Sequence, residues 1–385
     1  MTSIASSTGR RANGARLAGE SSKLLPANVR QLHRSLVLQE LYKKDPASRA
    51  DLARATGLTR VTVSDVVNDL IDRELVEEIG PRPGTRVGKP ATLVTVKYEA
   101  HNIICLELSD ETELRGAVLS LGGEILSRDS VQLEGQRGEA AVAKVISLAR
   151  SLVEKANAPI IGIGVGTPGV VNAHGVVRNA PNLGWRDLNL TAAITAALEL
   201  PAYVANDADT AVLAENTFGE GDGAGLMMVQ ISHGVGAGIL CDGNLLRGAE
   251  GTAGEIGHVK ISDENVPCPC GRTGCLEAFV ATPRLRARIN GKDAAQTAQE
   301  LTIAGQQLGQ VLAPITQALG LYDVVLFGPT ELLDGEFLKA AEETVNTTTS
   351  HFSDRPVVLR MSALGRDGVL FGAAAHVLGG ELGLS

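Results

Sequence analysis

Residues 254–258 read Gly-Glu-Ile-Gly-His, and residues 268–277 read Cys-Pro-Cys-Gly-Arg-Thr-Gly-Cys-Leu-Glu. Together the two stretches supply one imidazole and three thiols. Four N or S ligands complete a tetrahedral zinc site, and a site closed in this way is structural because no position remains for a catalytic water. We therefore predict one structural Zn²⁺ per chain, with four ligands: His258, Cys268, Cys270 and Cys275.

The spacing of these ligands leaves two alternatives open. A Cys-x-Cys pair is less diagnostic of zinc than paired Cys-x-x-Cys motifs. The cluster can instead be a redox-active set of thiols, or its cysteines can be buried as small apolar side chains, as we expect for Cys105 and Cys241. Gly271 and Gly274 favour the metal, because a chain that wraps closely around an ion needs positive φ or close backbone approach.

Length and charge limit the classes of function. A chain of 385 residues is long enough for two or three domains, and its five cysteines and lack of a long apolar run predict a cytoplasmic protein without membrane insertion. Residues 1–100 hold 16 Lys and Arg against 11 Asp and Glu, whereas the remainder holds 19 against 33. A basic segment can offset phosphate charge and an acidic body repels nucleic acid, although a solvated charged face is the simpler explanation.

The first 97 residues divide into an arm and a head. Residues 1–25 are rich in Ser, Gly, Ala and Arg without an apolar period, which predicts a disordered basic arm. Residues 26–97 predict a winged helix-turn-helix domain that binds DNA. Its elements are a first helix that ends near Asp45-Pro46, a second helix capped by Ser48, a break at Gly57, a third helix capped by Thr59, and strands at 75–79 and 92–96.

The predicted DNA contacts come from the third helix and the wing. The start of the third helix would enter a major groove, and the basic loop between the strands would contact phosphates or a narrow minor groove. The alternative is a helical packing module with a solvated basic loop. The predicted contacts are Thr59, Arg60, Thr62, Ser64, Arg82, Arg86 and Lys89.

Residues 98–385 alternate strand-like and helical segments, which predicts an α/β body. Strand-like runs such as 160–165 and 226–231 alternate with helical runs such as 139–155 and 295–319. Two α/β lobes with a cleft between them fit this length. Polar clusters follow several of the predicted strands, where ligands bind in α/β sheets.

These motifs resemble the ROK family, whose members are repressors, open reading frames and kinases. Gly-Glu-Ile-Gly-His at 254–258 followed by Cys-x-Cys-Gly-x-x-Gly-Cys-x-Glu at 268–277 is highly specific to that family. The resemblance implies an actin-like ATPase fold for the body, with two lobes hinged around a sugar cleft and the zinc loop at 258–275. It also implies that six residues hold sugar hydroxyls: Asn182, Asn206, Asp207, Glu255, His258 and Glu277.

The resemblance separates sugar binding from phosphoryl transfer. Asp207 matches the catalytic base of ROK kinases, and His258 would bind zinc through one ring nitrogen and present the other toward the sugar. ROK kinases cradle phosphates with Asp-x-Gly-Gly-Thr, where residues 107–113 here read Glu-Leu-Ser-Asp-Glu-Thr-Glu. A second phosphate loop reads Ser-His-Gly at 232–234, and 327–330 reads Phe-Gly-Pro-Thr in place of a Gly-Gly pair. We therefore expect a degenerate ATP site and no catalytic residue.

The resulting expectation is a sugar-responsive transcriptional regulator, most simply a repressor, that binds operator DNA as a homodimer or homotetramer. One alternative is a bifunctional ROK sugar kinase with a DNA-binding head, which the retained Asp207 favours. Another is a regulator controlled by a protein partner.

Overall fold

A computed structural model describes residues 26–82, 91–221, 223, 225–349 and 355–384, with side chains from Val29 onward. The predicted arm at 1–25 lies outside these residues, as do Arg86 and Lys89 of the predicted wing. Among the described helices, none combines the length and apolar character that crossing a bilayer requires.

The described residues of the head form three helices and a three-stranded antiparallel sheet of order β1-β3-β2. A capping box between Ser48 and Asp51 begins the second helix, and Gly57 at φ 70° ends it, so that the chain turns directly into the third. Thr59 then caps the third helix. The predicted winged helix-turn-helix is confirmed, with these elements: α1 Pro26–Lys43, β1 Ala47–Ser48, α2 Arg49–Thr56, α3 Arg60–Asp72, β2 Val76–Pro81 and β3 Thr92–Val96.

The first lobe of the body has a five-stranded sheet of order β11-β7-β4-β5-β6 and a small sheet of order β10-β9-β8. β4, β5 and β6 form an antiparallel meander, and β7 and β11 extend it in parallel. Its elements are β4 Asn102–Glu107, β5 Glu113–Ser120, β6 Ile125–Gln132, α4 Glu139–Lys155, β7 Ile160–Thr167, β8 Val170–Val171, β9 Val176–Ala180, β10 Trp185–Asn189, α5 Leu190–Leu198, β11 Ala202–Asn206 and α6 Asp207–Phe218.

The second lobe repeats this plan with the sheet order β14-β13-β12-β15-β16. Here β12, β13 and β14 form the antiparallel meander, and β15 and β16 extend it in parallel. Its elements are β12 Gly225–Ile231, β13 Val235–Cys241, β14 Asn244–Leu245, α7 Glu277–Val280, α8 Thr282–Ile289, α9 Ala294–Leu319, β15 Asp323–Phe327, α10 Thr330–Leu333, α11 Glu336–Thr348 and β16 Val358–Met361. The last helix, α12 Gly368–Leu382, returns to pack on the sheet of the first lobe.

Helix α12 connects the lobes to the head. It packs on α6 so closely that a Cβ at Gly372 would lie 1.7 Å from the carbonyl oxygen of Thr210. At its other end, Ser35 Oγ of α1 donates to the carbonyl oxygen of Leu382 at 3.1 Å, and Gln39 Nε2 donates to that of Gly383 at 2.9 Å. One apolar cluster runs from α1 and α3 into α12. Because head and body share this core, the boundary between 97 and 98 stays a prediction.

The parallel strands bring the predicted site residues to one edge. β4, β7 and β11 are in register, with Glu107 opposite Gly166 and Asn206 opposite Thr167, so the strands end together. Ligands of open α/β sheets bind outside the carboxyl ends of the strands. Asn206, Asp207 and the loop that follows Glu107 therefore lie on the same side of the first sheet.

Candidate functional site

The loop between His258 and Glu277 folds back on itself to bring the four predicted metal ligands together. Two antiparallel bridges, Lys260 to Cys275 and Pro267 to Thr273, close it. Gly274 has φ 76°, and a Cβ there would lie 2.0 Å from the carbonyl oxygen of Ser262, so only glycine fits this crossing.

The geometry of the four side chains fits a tetrahedral ion. One nitrogen or sulfur atom from each of His258, Cys268, Cys270 and Cys275 lies within 4.8 Å of the other three. The Sγ atoms of Cys270 and Cys275 are 3.8 Å apart, and Cys268 Sγ is 3.6 Å from His258 Nδ1. Ligands at zinc bonding distances of about 2.0–2.3 Å in a tetrahedron are separated by roughly 3.5–3.8 Å. The donor set and its spacing therefore suit Zn²⁺.

The thiols differ in their readiness to ionise. Hydrogen bonds from the backbone and guanidinium of Arg272 lower the pKa of Cys270 to about 6, whereas burial raises the pKa of Cys268 to about 12. Thiolates are the metal-binding form, and a bound cation favours their deprotonation. Cys105 is fully buried in the first lobe and Cys241 partly buried on β13, outside this cluster.

Three of the predicted sugar ligands adjoin the metal cluster. His258 turns Nδ1 toward Cys268 and Nε2 toward Glu255, whose Oε2 is 3.6 Å away. Glu277 Oε1 accepts from Cys268 Sγ at 3.6 Å, and its Oε2 accepts from the backbone amide of Val235 at 3.0 Å. This loop, residues 258–277 (the metal loop), thus constrains the carboxylate of Glu277 and orients the second ring nitrogen of His258 toward Glu255.

Asn206 and Asp207 lie where β11 passes into α6. Asn206 Oδ1 caps α6 by accepting from the amide of Ala208 at 2.8 Å, and its Nδ2 donates to the carbonyl oxygen of Gly169 at 2.7 Å. Asp207 Oδ2 accepts from Gln230 Nε2 at 3.2 Å. Burial is the largest cause that raises the pKa of Asp207 to about 6.

The structure adds Asp209, for which no role as a ligand is predicted from the sequence, to Asp207 and Glu255 as an acidic cluster. Its side chain is buried, and burial raises its pKa to about 7, with Asp207 and Glu255 raising it further and Arg247 opposing them. Burial also raises the pKa of Glu255, and the charge of Glu277 adds to this rise, although His258 acts to lower it. The position of Asp209 in the first turn of α6, two residues after Asp207, is the signal that could have identified it.

Among the described residues, Asn182 makes no hydrogen bond to the other predicted sugar ligands. It is exposed in a short 3₁₀ helix, Pro181–Leu183, between β9 and β10. Within the described part of the chain, no hydrogen bond or ion pair joins it to the other five. Its neighbour Trp185 is a core residue, whose indole nitrogen donates to the carbonyl oxygen of Gly138 at 2.9 Å.

In the turn between β4 and β5, one carboxylate accepts hydrogen bonds from two backbone amides of the same turn. Asp110 Oδ1 accepts from the backbone amide of Thr112 at 2.7 Å and from that of Glu113 at 3.2 Å. Burial raises the pKa of Glu107 to about 7 although Arg115 pairs with it. A phosphate here would compete with a carboxylate for two backbone donors.

The predicted DNA contacts of the head lie at its surface. Arg60 is exposed, Ser64 is half-buried, and the hydroxyls of Thr59 and Thr62 are 2.8 Å apart at the start of α3. Arg82 pairs with Asp51 of α2, which anchors the end of β2 to the helix-turn-helix.

Comparison with known proteins assigns the family. Residues 104–379, more than half of the chain, match the ROK family. This chain belongs to the ROK family. Residues 31–86, in the head, match the MarR family. The ROK match includes the metal loop and every predicted sugar ligand.

The relatives of this ROK chain include regulators and a kinase. The xylose repressor of Caldicellulosiruptor bescii is 32% identical over 267 residues, which cover 68% of this chain and 66%, about two thirds, of that repressor. A glucokinase of Halalkalibacterium halodurans is 39% identical over 185 residues, 46% of this chain and 56% of the kinase.

Solved structures confirm the predicted fold. A ROK family transcriptional regulator, described as a homologue of the E. coli MLC protein, has a TM-score of 0.80 at 23% identity and covers 92% of this chain and 98% of its own. A ROK hexokinase from Thermus thermophilus has a TM-score of 0.60 at 27% identity, covering 71% of this chain and 97% of its own. The first neighbour spans head and body together, and the second has the actin-like ROK kinase fold of the body.

Proposed function

We propose that this chain is a sugar-responsive transcriptional repressor, in which residues 26–97 bind operator DNA and residues 98–385 bind a sugar. The observation that carries the proposal is the contrast between two loops of one cleft. The metal loop presents Glu255, His258 and Glu277 as a set, whereas Asp110 occupies the amides of the turn that would hold phosphate. The cleft is suited to bind a sugar without phosphorylating it.

The proposed sugar site consists of Asn182, Asn206, Asp207, Glu255, His258 and Glu277. Carboxylates and amides accept from and donate to neighbouring hydroxyls, and buried polar groups left unpaired penalise analogues that lack a hydroxyl. Asn206 and Asp207 support the proposal because each keeps hydrogen-bonding capacity beyond its intramolecular partners. Asn182 is exposed and has no hydrogen-bond partner within the described chain, so its side-chain amide is available to a ligand. The names of relatives make xylose, glucose and N-acetylglucosamine the first sugars to test.

One Zn²⁺ per chain, held by His258, Cys268, Cys270 and Cys275, is proposed as the support of this site. The ion supplies fixed geometry and no chemistry. Glu277 adjoins both the thiol of Cys268 and the amide of Val235, so the metal loop and the β12–β13 turn constrain one carboxylate between them. Partners of this kind orient metal ligands and share in their function.

A continuous path leads from the sugar residues to the DNA-binding helix. α6 begins at Asp207 and packs against α12, and the end of α12 receives the hydrogen bonds from α1. Arg34 of α1 pairs with Asp69 of α3 at 3.0 Å. In a homodimer or homotetramer, a small rotation of each head would change half-site spacing and therefore operator affinity.

The proposed operator contacts are Thr59, Arg60, Thr62 and Ser64 on α3, with Arg82, Arg86 and Lys89 from the wing. Arg60 supports this assignment because it is exposed at the start of a capped helix. The ion pair of Arg82 with Asp51 favours a supporting role for its guanidinium beside the contacts. Binding to operator DNA places the protein in the cytoplasm.

A sugar kinase with a DNA-binding head is the second candidate, favoured by Asp207 and by the glucokinase relative. One experiment separates the two. The purified full-length chain is titrated with each sugar, with and without Mg²⁺-ATP, while operator affinity and ADP release are measured. A sugar that lowers operator affinity without ADP release supports the repressor. Sugar-dependent ADP release that Asp207→Asn abolishes would support the kinase, and operator affinity that no sugar changes would point to a protein partner.

A further inference from the structure

Helix α3 presents to solvent a ridge that is distinct from the predicted contact set. Its buried side chains, Val63, Val66, Val67 and Leu70, fix the face that packs on the head. With 3.6 residues per turn, the opposite face carries Val61, Asp65 and Asn68, spaced by four and three residues. All three are exposed, and the predicted contacts Thr62 and Ser64 flank them.

Val61 is the unusual member of this ridge. At 71% exposure it is the most exposed large apolar side chain in the described part of the chain, ahead of Ile79 at 52% and Leu32 at 49%. Its helix turn is held firmly, because the Thr59 cap begins the helix and Arg49 donates to Asn68 Oδ1 at 3.0 Å. A β-branched side chain at a solvated helix start gains nothing from packing within the head.

We infer that Val61 contacts the C5-methyl group of a thymine in the major groove of the operator. The inference rests on the proposed DNA-binding function and deepens it. The thymine methyl is the one apolar group that base edges offer in that groove, and apolar side chains recognise it by contact. Burying a methyl against Val61 removes from water the apolar surface that the free head exposes.

Charge places the ridge over bases and away from the phosphates. Asp65 lies one turn after Val61 on the same face and is exposed. Its carboxylate is repelled by a phosphate but accepts a hydrogen bond from the amino group of cytosine. Arg60, at the flank, is placed to reach a phosphate or a guanine. The ridge therefore faces base edges, with the guanidinium of Arg60 at its side.

The surroundings of Val61 argue against a protein partner at this point. Protein-binding patches are contiguous and apolar. Val61 is flanked by Arg60, Thr62 and Asp65, and the other exposed apolar residues of the head lie elsewhere, Leu32 on α1 and Ile79 on β2. A single apolar side chain among polar ones matches a base edge, where one methyl lies among hydrogen-bonding groups.

The test removes only the C5-methyl group of a thymine from the DNA. The full-length chain first selects a duplex from a random library, and each thymine of that duplex is then replaced by deoxyuridine. We expect replacement at one thymine, or at it and its symmetry mate, to weaken wild-type binding about fourfold per site, the value of one buried methyl. Val61→Ser should bind the thymine and deoxyuridine duplexes equally. Val358→Ser, which alters a valine that is 47% exposed on the body, should keep the wild-type discrimination.

Two results would overturn the inference while leaving the proposed function intact. One is a wild-type affinity that no deoxyuridine replacement changes. The other is a Val61→Ser variant that still prefers the thymine duplex to the deoxyuridine duplex by the wild-type factor, whether or not its affinity for both is lower. Failure to select any duplex would overturn the proposed function and this inference together. Circular dichroism and the melting temperature check that Val61→Ser is folded, as expected for a change at an exposed position.

Discussion

The metal loop and the β4–β5 turn both border the proposed ligand cleft, but their polar groups are committed differently. At the metal loop, His258 Nδ1 and Glu277 Oε1 face Cys268, while His258 Nε2 faces Glu255 and Glu277 Oε2 accepts from the amide of Val235. Each carboxylate oxygen can accept a further hydrogen bond from a ligand. In the turn, Asp110 binds two of the backbone amides that a phosphate would need. Under the proposed function, the difference teaches that the sugar side of the cleft stays available to a ligand, whereas two amides of the phosphate side are occupied by a carboxylate of the same turn.

The largest expected effect is the loss of the metal. Cys275→Ser, or removal of the ion by a chelator, should lower the free energy of unfolding by about 4 kcal/mol or more, because structural zinc contributes its binding energy to folding. Sugar affinity should fall with it, since Glu277 loses its support. Calorimetry measures the unfolding free energy and the sugar affinity, and metal analysis measures the zinc content. Cys241→Ser, a matched change outside the cluster, should keep the metal; a purified chain without zinc and with unaltered sugar binding would contradict this support role.

Loss of one carboxylate from the sugar side should have the next largest effect. We expect Asp207→Asn to weaken sugar binding by about 2–3 kcal/mol, as hydrogen bonds to charged groups are worth this much. Titration calorimetry measures the change. Asp129→Asn, which removes a surface partner of Lys155, is the control and should bind sugar normally. Equal sugar affinity in Asp207→Asn and the wild type would remove Asp207 from the site.

Arg60→Ala should reduce the preference of the head for operator over other DNA by about 1–3 kcal/mol, which is the range for one base contact. Competition between the selected duplex and a scrambled one, in a fluorescence anisotropy assay, measures it. Arg73→Ala is the matched control, because Arg73 lies at the opposite end of α3 and pairs with Asp69. Equal discrimination in Arg60→Ala and the control would place Arg60 outside the base-reading set.

The acidic cluster predicts a pH dependence. The folded-state pKa of Asp209 is about 7, above its unfolded value, so the protonated form stabilises the fold below pH 4 and this contribution is lost as pH rises toward 7. We expect Asp209→Asn to flatten the decline in unfolding free energy between pH 5 and pH 8 by about 1–2 kcal/mol. Urea titrations at four pH values measure it. Asp129, whose pKa is lowered by Lys155, offers the control Asp129→Asn, and an equal slope in both variants would contradict the assignment.

The smallest expected effect concerns the wing. If Arg86 contacts a phosphate, Arg86→Ala should reduce the slope of log affinity against log salt by about 1 and weaken selected and scrambled duplexes alike. Affinities at four salt concentrations measure the slope. Glu99→Gln, at an exposed site after the wing, is the control. A change restricted to the selected duplex would move Arg86 from phosphate contact to base reading.

Local signals in the sequence were sufficient for much of the fold. The apolar period over Glu139–Lys155 predicted α4 at the observed residues, and the caps of α2 and α3 were readable as Ser48 and Thr59. β6, Ile125–Gln132, was missed because this edge strand alternates half-buried and exposed side chains and is defined by its pairing with β5. Pairing across the chain has no local signature.

The candidate site shows the same limit. The spacing of Cys270 and Cys275 predicted a metal cluster, whose approach to His258 depends on a loop crossing at Gly274. The burial of Asp209 and the exposure of Val61 were not readable, because both depend on how helices pack against distant segments. The pairing of Arg82 with Asp51 joins residues 31 apart and was invisible for the same reason.

The central claim is that the cleft binds a sugar but not a nucleotide. Its most direct test is the thermal unfolding of the zinc-loaded full-length chain with a panel of sugars, their phosphates and Mg²⁺-ATP, because a ligand that binds the native state raises the melting temperature. The account predicts that at least one unphosphorylated sugar raises the melting temperature, that Asp207→Asn abolishes this rise, and that ATP causes no rise with or without that sugar. A rise in melting temperature with ATP would contradict the account. So would the absence of a rise with every sugar in the panel.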